Sequence, residues 1–570
     1  MTESAPVPVM VNGFDGSGLA GLPAATRELI ARREAALGGA YRLFYDQPVE
    51  FARGSGVHLY DPDGVEYLDA YNNVPSVGHS HPAVTSAVAR QLATLNTHTR
   101  YLTDGVVDYA ERLLATHTVG PAHAMFTCTG SEANDLALRI ARASTGGTGV
   151  IVTANAYHGV TAAVAELSPS LGANVPLGVH VRAVPAPVPG SEADFAAGVA
   201  AAIADLERHG VRPAALLADS IFSSDGVLPS TATGFLARAA ALVRAAGGLY
   251  IADEVQSGFG RTGSRLWGYQ RHPGLAPDIV TMGKPMGNGL PIAGLVARQP
   301  VLAEFGQRAR YFNTFGGNPV CVAAASAVLD VLADEDLPAN ALSTGEYLRS
   351  ALAALADSSP VLADVRGVGL YVGVDVVSPS TGAPSAELAA AIVNGMRARR
   401  VLISATGPRG HVLKIRPPLP FGRAHADQLA TVLSQVLATL LRVPGELGLP
   451  AGVTAGVGLA AQEQAADDAA GGRGGQGAGR LAHRDEPEGV VADVEQVAVG
   501  RGPGRGGDAG AGPGDRDRVA AAARVPEPAG LVPGAEVLRA DADRGLGARR
   551  GRRLGGAVRE REVGLRPPLR

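Results

Sequence analysis

Short apolar runs, separated by helical or glycine-rich segments, are the feature of this sequence that most constrains its fold. Each run has the length of one buried strand, and in chain order they read AMFTCT, GVIVTA, AALLA, GLYIA and DIVTM. Strands with continuous apolar sequence are covered on both faces, and their alternation with helices is typical of a parallel sheet. The sequence therefore predicts an α/β fold with a mostly parallel central sheet.

The composition argues against several classes of function. The 570 residues carry a formal net charge of −4, which is too near neutral to imply bulk attraction to nucleic acid or to an anionic membrane. No stretch approaches the ~20 unbroken apolar residues of a membrane span, and the first residues lack the pattern of a secretory signal. Two cysteines are too few for a disulfide framework. We expect a cytoplasmic protein without nucleic-acid or membrane partners.

The helix and strand patterns also predict a domain organisation. A large central domain is expected over residues 76–317, because all the apolar runs fall within it. The flanking segments, 1–75 and 318–442, are expected to form a smaller α+β domain together. The first of them contributes a β-meander that turns at the sequence DPDG.

The C-terminal part of the sequence has a different composition. From residue 440 onward there is no aromatic residue, Ile, Met, Cys, Lys, Asn or Ser, and every residue except Thr454 has a codon that begins with G or C. We expect residues 443–570 to be a disordered Gly/Ala/Arg-rich tail, and reading the end of a GC-rich gene out of frame would produce this bias. The alternative is a natural tail of the same composition, which could not build a core either.

A candidate anion site follows the first apolar run, where the sequence TCTGSEAND opens a helix. Thr129, Gly130 and Ser131 would present hydroxyls and unpaired backbone amides at the start of that helix. Such groups bind phosphate well because the helix dipole favours negative charge there. The alternative is an ordinary helix cap by Ser131, with Glu132 in the first turn.

Two adjacent carboxylates, Asp253 and Glu254, end the run GLYIA. Functional groups of open parallel sheets gather beyond the carboxyl ends of the strands. A carboxylate buried there needs a positive or hydrogen-donating partner, such as a protonated pyridine nitrogen; a helix cap or a salt bridge is the alternative. The following GFGRTG, residues 258–263, fits the dinucleotide pattern, but no helical period follows it, so we predict no dinucleotide site.

The third candidate is Lys284, in the sequence TMGKPMGNGLP. Lys284 and Lys414 are the only lysines of a chain that otherwise uses arginine. A lysine amine can lose its proton and form a Schiff base, whereas arginine stays protonated. A phosphate cradle, a carboxylate at a strand end and an isolated lysine are together what pyridoxal 5'-phosphate requires.

The motifs GHSHP, TGSEAND, AYHG, IADEVQSGFGRTG, PDIVTMGKPMGNGLP, NTFGGNP, RGVGL and KIRPPL resemble those of the class III (subgroup II) aminotransferases. The resemblance covers residues 41–441 and is closest to the branch of ethanolamine-phosphate and phosphohydroxylysine phospho-lyases. It implies the fold-type I architecture of pyridoxal phosphate enzymes, in which a smaller domain comes from both chain ends. It also implies a homodimer with active sites at the interface.

The resemblance implies roles for individual residues. Lys284 is expected to form the Schiff base and to move a substrate proton, and Asp253 to pair with the ring nitrogen. The remaining cofactor-binding residues are Thr129, Gly130 and Ser131 at the phosphate, Tyr157, His158 and Val255 beside the ring, Gln256 at the ring hydroxyl, and Thr314, which is expected to reach the phosphate from the partner subunit.

The substrate-binding residues are less well matched to the family pattern. Asp219 stands where many relatives have glutamate, and Lys414 where relatives that bind an α-carboxylate often have arginine. Arg416 follows two residues later on the same strand face. A phosphorylated substrate would need such cations, and Arg42 is a further candidate. Arg100 and Arg409 are expected to be ordinary surface residues.

Two reactions fit this resemblance. One is transfer of the amino group of a primary amine to a 2-oxo acid. The other is elimination of phosphate from ethanolamine phosphate or a similar phosphorylated amine, and the two start with the same proton removal. A non-catalytic binding protein and a nicotinamide-dependent dehydrogenase are weaker alternatives. We expect no metal site, because His79 and His81 lack carboxylate or cysteine partners in the sequence.

Overall fold

The structure of the chain, a computed structural model, describes residues 10–230, 232 and 234–442. The tail predicted over 443–570 lies outside the described residues.

The strands are, in chain order, β1 Arg53–Ser55, β2 His58–Tyr60, β3 Glu66–Asp69, β4 Ala122–Thr127, β5 Gly149–Thr153, β6 Val181–Val184, β7 Pro213–Asp219, β8 Leu249–Asp253, β9 Ile279–Met282, β10 Ala293–Arg298, β11 Leu362–Val368, β12 Tyr371–Val376, β13 Val401–Leu402, β14 Ser404–Thr406 and β15 Val412–Ile415. The helices are α1 Ala24–Leu37, α2 Pro82–Thr94, α3 Asp104–Ala115, α4 Gly130–Thr145, α5 Ala162–Ala165, α6 Glu192–Arg208, α7 Phe235–Ala245, α8 Gln299–Arg308, α9 Pro319–Asp334, α10 Leu337–Asp357, α11 Ala386–Ala398 and α12 Arg423–Leu441.

A seven-stranded sheet with the order β4-β10-β9-β8-β7-β5-β6 forms the centre of the fold. Strands β5 to β9 are mutually parallel, whereas β10 runs antiparallel to both of its neighbours. The predicted α/β class with a mostly parallel sheet is confirmed. All five apolar runs are strands of this sheet; β6 and β10 escape the pattern because arginine or glycine interrupts their sequences, VRAV and AGLVAR.

Two further sheets have four strands each. In the first, β1, β2 and β3 form the predicted antiparallel meander, and β13 joins β3 in parallel. The second has the antiparallel order β11-β12-β15-β14. Because β13 pairs with β3, the segments before and after the central sheet share one sheet. The boundaries of the domains, at residues 75 and 317, stay a prediction.

Helix α4 packs against the central sheet and starts beside the carboxyl ends of the parallel strands. Its apolar residues recur at helical spacing, so that Leu136 and Ile140 are buried. The helix ends at Gly146, whose φ of 65° suits a residue without Cβ. At its other end, a Cβ on Gly130 would lie 3.0 Å from the methyl carbons of Val255, just beyond β8. This close approach brings the start of the helix to the sheet edge.

Helices α9 and α10 connect the central sheet to the smaller sheets. Helix α9 packs on α2 and α3, and α10 packs on β11 and α12. The sequence pattern does not predict α10, a helix of 21 residues in which Leu348 and Leu352 are buried. Of the helices in the described residues, none combines the length and the apolar character needed to cross a membrane.

Candidate active site

A cavity of about 250 Å³ lies where the parallel strands of the central sheet end. Asp219 and Asp253 are the last residues of β7 and β8 and are directly paired in the sheet, and Lys284 follows β9. Three residues widely separated in the sequence therefore meet, because parallel strands end at the same edge. The predicted site residues that line this cavity are Thr129, Gly130, Ser131, Tyr157, His158, Asp219, Asp253, Val255, Gln256 and Lys284.

The start of helix α4 forms one end of the cavity. Thr129, and not Ser131, is the N-cap: its hydroxyl accepts a hydrogen bond from the Glu132 N–H at 3.1 Å, and the Glu132 carboxylate accepts from the Thr129 N–H at 3.1 Å. This capping box corrects the alternative in which Ser131 caps the helix. The N–H groups of Gly130 and Ser131 lie in the first turn, where a helix has no internal acceptors for them. They are suited to an anion.

Glycines keep this end of the cavity open. Gly159 has a φ of 138°, and a Cβ there would collide with the side chain of Ser131. A Cβ on Gly283, just before the lysine, would lie 3.3 Å from the backbone of Gly130. Backbone amides of the helix and the lysine loop can approach a bound group closely, because no side chain intervenes.

Asp253 is buried and held by three donors. Its Oδ2 accepts from His158 Nδ1 at 2.7 Å and from Asn134 Nδ2 at 3.0 Å, and its Oδ1 accepts from the Val255 N–H at 3.0 Å. Asn134 is fixed in turn by a hydrogen bond from the Thr281 hydroxyl, 2.7 Å from its Oδ1. These contacts give the carboxylate one orientation. No sequence pattern pairs His158 or Asn134 with Asp253, since 95 and 119 residues separate them.

Lys284 lies just past β9, between the two carboxylates of the cavity. Burial and then the positive charge of Arg416 lower the pKa of its amine, Asp253 and Asp219 act in the opposite direction, and the net pKa is about 8. A lysine with this pKa is partly neutral near physiological pH. It can act as a nucleophile and accept a proton, which an ordinary surface lysine does rarely.

Gln256 connects the cavity to a buried polar network. Its Nε2 donates to the Ser223 hydroxyl at 2.6 Å, and its Oε1 accepts from Tyr371 Oη and from Arg416 Nη1, each at 3.0 Å. Arg416 is buried and lies 4.4 Å above the ring centroid of Tyr71. The sequence points to Gln256 and Arg416 separately; Ser223 and Tyr371 come from other parts of the chain and carry no signal of their own.

Lys414 and Arg416 bring two more basic side chains to this region. Both are buried, Lys414 on β15 and Arg416 just after it. Burial lowers the pKa of Lys414 well below its usual value; Arg416 and Lys284 lower it further, and only Asp219 opposes them. Among the residues that the structure describes, no carboxylate lies within 4.0 Å of the charged groups of Lys414, Arg416 or Lys284.

Some predicted residues lie away from the cavity in this chain. Arg42 and Thr314 are exposed and do not line it, and the buried Lys414 and Arg416 are not among its lining residues either. Arg100 lies 3.7 Å above the ring centroid of Phe312 on the surface, and Arg409 is exposed. The roles of Arg42 and Thr314 stay predictions.

The two remaining motifs have local explanations. His79 Nε2 lies 2.7 Å from an Asp69 oxygen, and His81 Nδ1 accepts from a backbone N–H at the start of α2. Residues 258–263, the GFGRTG sequence, form turns that lead into further turns, not a strand-to-helix connection. The dinucleotide alternative therefore lacks its structural context.

The model of the family described as aminotransferase class-III matches residues 44–437. This chain belongs to the class III aminotransferase family. The resemblance inferred from the motifs is confirmed, and with it the fold-type I architecture. The chain is an enzyme of this family, and its cofactor is pyridoxal phosphate.

Similarity extends to both phospho-lyases and aminotransferases. Ethanolamine-phosphate phospho-lyase homolog 1 of Caenorhabditis elegans is 39% identical over 442 residues, which cover 73% of this chain and 94% of that protein. The alanine–glyoxylate aminotransferase 2-like protein of Drosophila melanogaster is 38% identical over 436 residues, covering 73% of this chain and 88% of that protein. The solved structure of an Arthrobacter phospholyase in complex with phosphoethanolamine is 48% identical, with a TM-score of 0.70, and covers 72% of this chain and 99% of its own.

The residues of the cavity fit pyridoxal phosphate. The start of α4 offers N–H groups to a phosphate, and the oriented carboxylate of Asp253 suits a protonated ring nitrogen. Lys284 offers an amine with a lowered pKa to the aldehyde. Val255 and Tyr157 line the same cavity and would be available to pack on the ring.

Proposed function

We propose that this enzyme is a phospho-lyase that eliminates phosphate from a small phosphorylated primary amine such as ethanolamine phosphate. The observation that carries this proposal is the buried pair of cations, Lys414 and Arg416, beside Lys284. Neither has a carboxylate partner among the described residues, so a substrate anion would pair with Arg416 and favour the charged form of Lys414. The 48% identity to the Arthrobacter phospholyase adds support, since the ornithine and amine transaminase structures are 26–28% identical.

Lys284 is the residue that moves the substrate proton in this proposal. Pyridoxal phosphate, when bound, withdraws electrons from the carbon that carries the substrate amine. With a pKa near 8, the Lys284 amine is neutral in part of the molecules at neutral pH and can accept the proton of that carbon. Asp253, fixed by His158 and Asn134, would hold the ring nitrogen of the cofactor.

Lys414 and Arg416 would bind the leaving phosphate. As the C–O bond breaks, negative charge grows on the phosphate oxygens, and buried cations stabilise it strongly because little water screens them. An anion beside Lys414 would also raise the pKa of that lysine again, because an opposite charge favours the ammonium form. The unsaturated amine that remains takes up a proton, and water hydrolyses it to an aldehyde and ammonia.

We also propose that the enzyme is a cytoplasmic homodimer. Tyr101, Leu102 and Phe315 are 65%, 100% and 69% exposed, which is unusual for such large apolar side chains and suits a covered surface. Thr314 is next to Phe315, so a partner seated here would bring its own Thr314 toward this site, as the family resemblance implies. Cys128 and Cys321 are free thiols, as is usual in a reducing compartment.

Amino transfer to a 2-oxo acid is the second candidate function. It is supported by the 38% identity to the alanine–glyoxylate aminotransferase 2-like protein and by 35% identity over 402 residues to acetylornithine aminotransferase of Mycobacterium tuberculosis. In this reaction, Lys414 would bind a substrate carboxylate instead of a phosphate. The same proton removal by Lys284 would then be followed by return of the proton to a different carbon.

One experiment separates the two functions. The holoenzyme is incubated with ethanolamine phosphate and no 2-oxo acid, and inorganic phosphate is measured over time. Sustained phosphate release supports the phospho-lyase. No phosphate, together with pyruvate- or glyoxylate-dependent loss of amine from other donors, would establish the aminotransferase instead.

A further inference from the structure

The loop that follows β7 has an unusual backbone. Phe222 and Val227 have φ angles of 49° and 61°, in the left-handed region that favours glycine, and both side chains are buried. This conformation is most costly for a β-branched residue such as Val227. Surrounding contacts must therefore hold the loop in place, and strain of this kind is concentrated at functional sites.

Arg366, on β11, supplies such contacts from another sheet. Its Nε donates to the Val227 carbonyl at 2.9 Å and to the Gly226 carbonyl at 3.1 Å, and its Nη2 donates to the Gly226 carbonyl at 2.7 Å. The guanidinium is fixed in turn by Asp375, 2.7 Å from Nη2, and by Asp364, 2.8 Å from Nη1. The planar, charged guanidinium thus binds the carbonyls that precede and follow the α-carbon of Val227.

The same loop orients two side chains of the active site. The N–H groups of Ile221 and Ser223 donate to the two oxygens of Asp219, at 3.0 and 2.9 Å. The Ser223 hydroxyl accepts from Gln256 Nε2 at 2.6 Å. A change of the loop backbone would therefore turn the Asp219 carboxylate and remove the contact of Gln256 Nε2; both side chains line the cavity.

We propose that Arg366 is a positioning residue, which holds the loop 219–228 in its strained conformation and thereby keeps Asp219 and Gln256 oriented toward the cofactor and substrate. Arg366 is the arginine of the RGVGL motif, for which the family resemblance gave no role. The inference depends on the proposed function only in that it takes the cavity to be the active site; it applies to phosphate elimination and to amino transfer alike.

Loss of Arg366 should lower the pKa of the nitrogen at Lys284. Asp219 raises the pKa of Lys284, against the lowering effects of burial and of Arg416. If Asp219 turns away, the protonated form of the nitrogen at Lys284 loses an opposing charge. Asp253 still raises the pKa, so the pKa should fall by less than it would if both carboxylates were lost.

The test uses the holoenzyme with Arg366→Met, Arg366→Lys and Asp364→Asn. Two measurements are made: amide hydrogen exchange of residues 220–228, and the pH midpoint of the visible absorbance of the bound cofactor. For Arg366→Met, exchange in this segment is expected to rise at least about tenfold, as the loss of charge-assisted hydrogen bonds implies, with no change in β8. The absorbance midpoint is expected to fall. Arg366→Lys is expected to lie between Arg366→Met and the wild type.

Asp364→Asn is the matched control, because it removes the most exposed contact of the arginine and leaves both carbonyl contacts in place. It is expected to match the wild type in both measurements. Wild-type exchange or an unshifted midpoint in Arg366→Met would overturn the proposal. If Arg366→Met does not fold, Arg366→Lys decides by the same two measurements. Neither measurement depends on the reaction, so failure of phosphate release in the wild type would count against the proposed function alone.

Discussion

The two ends of the active-site cavity are built in different ways. At the cofactor end, Asp253 has three hydrogen-bond donors and the helix start is closed by a capping box, so most of its polar groups are paired within the protein. At the proposed substrate end, outside the residues that line the cavity, Lys414 and Arg416 are buried basic residues without a carboxylate within 4.0 Å among the described residues. At the cofactor end the N–H groups at the start of α4 are left for an anion, whereas at the proposed substrate end two buried basic side chains lack a carboxylate partner among the described residues. The difference indicates that the substrate end decides which reaction the enzyme catalyses.

The largest effect is expected at Lys284, where the two ends meet. Lys284→Ala removes both the covalent attachment of the cofactor and the proton acceptor, so the rate of phosphate release should fall by more than about 10⁴-fold. Lys284→Arg is the control that keeps the positive charge but cannot form the Schiff base. Borohydride treatment should fix the cofactor to the wild type and to neither variant; covalent fixation in Lys284→Ala would place the attachment elsewhere.

Breaking the cofactor end at Asp253 should reduce turnover but leave substrate affinity nearly unchanged. Asp253→Asn removes the charge opposite the ring nitrogen and leaves a carboxamide in contact with His158 and Asn134, so kcat should drop by about 10²- to 10³-fold. Steady-state kinetics with ethanolamine phosphate would measure this. A variant with wild-type kcat would show that the carboxylate does not act on the cofactor ring.

A substitution at the substrate end should instead weaken substrate affinity and leave turnover nearly unchanged. Lys414→Met removes one charge-assisted contact to the phosphate, so KM for ethanolamine phosphate should rise by about 10- to 100-fold. Lys414→Arg serves as the control, because it keeps the charge at the same strand position. The affinity for pyridoxal phosphate, measured by absorbance titration, should be the same in both variants. Loss of cofactor affinity in Lys414→Met would show that the two ends are not separate.

A pH dependence follows from the lowered pKa of Lys284. Only the neutral amine attacks the cofactor aldehyde, so the rate at which the cofactor-free protein binds pyridoxal phosphate should rise with pH, reach half its maximum near pH 8 and level off about one pH unit higher. At pH 7 about a tenth of the molecules would carry a neutral amine, against about one in several thousand for an ordinary lysine. Stopped-flow absorbance would follow the reaction. A rate that still rises between pH 9 and 10 would contradict the lowered pKa.

The smallest effect is expected at the proposed subunit interface. Thr314→Val removes one hydrogen bond to the cofactor phosphate, so the Kd for pyridoxal phosphate should rise by about 3- to 10-fold. Thr381→Val is the matched control, because Thr381 is also exposed and hydrogen-bonds only its own turn. Equal affinities of the two variants would remove Thr314 from the phosphate site.

Features that depend on neighbouring residues in the chain could be predicted from the sequence, whereas contacts between distant residues could not. The strands β4, β5, β7, β8 and β9 could be predicted because each is one apolar run, and Asp253 and Lys284 because each follows such a run directly. The pairing of His158 with Asp253 and of Arg416 with Gln256 could not, since 95 and 160 residues separate the partners and only the folded sheets bring them together. Strand β10 could not be predicted because glycine interrupts its apolar sequence; in the sheet, a Cβ on Gly294 would lie 2.5 Å from the carbonyl oxygen of Met125 on β4.

The stoichiometry of turnover without a 2-oxo acid tests the central claim, that the substrate end binds and releases phosphate, most directly. Ethanolamine phosphate is supplied in large excess over the holoenzyme, and phosphate and ammonia are both measured. The account predicts one phosphate and one ammonia for each molecule consumed, through many turnovers. A reaction that stops after one amino group has been transferred per active site, with no phosphate released, would contradict it.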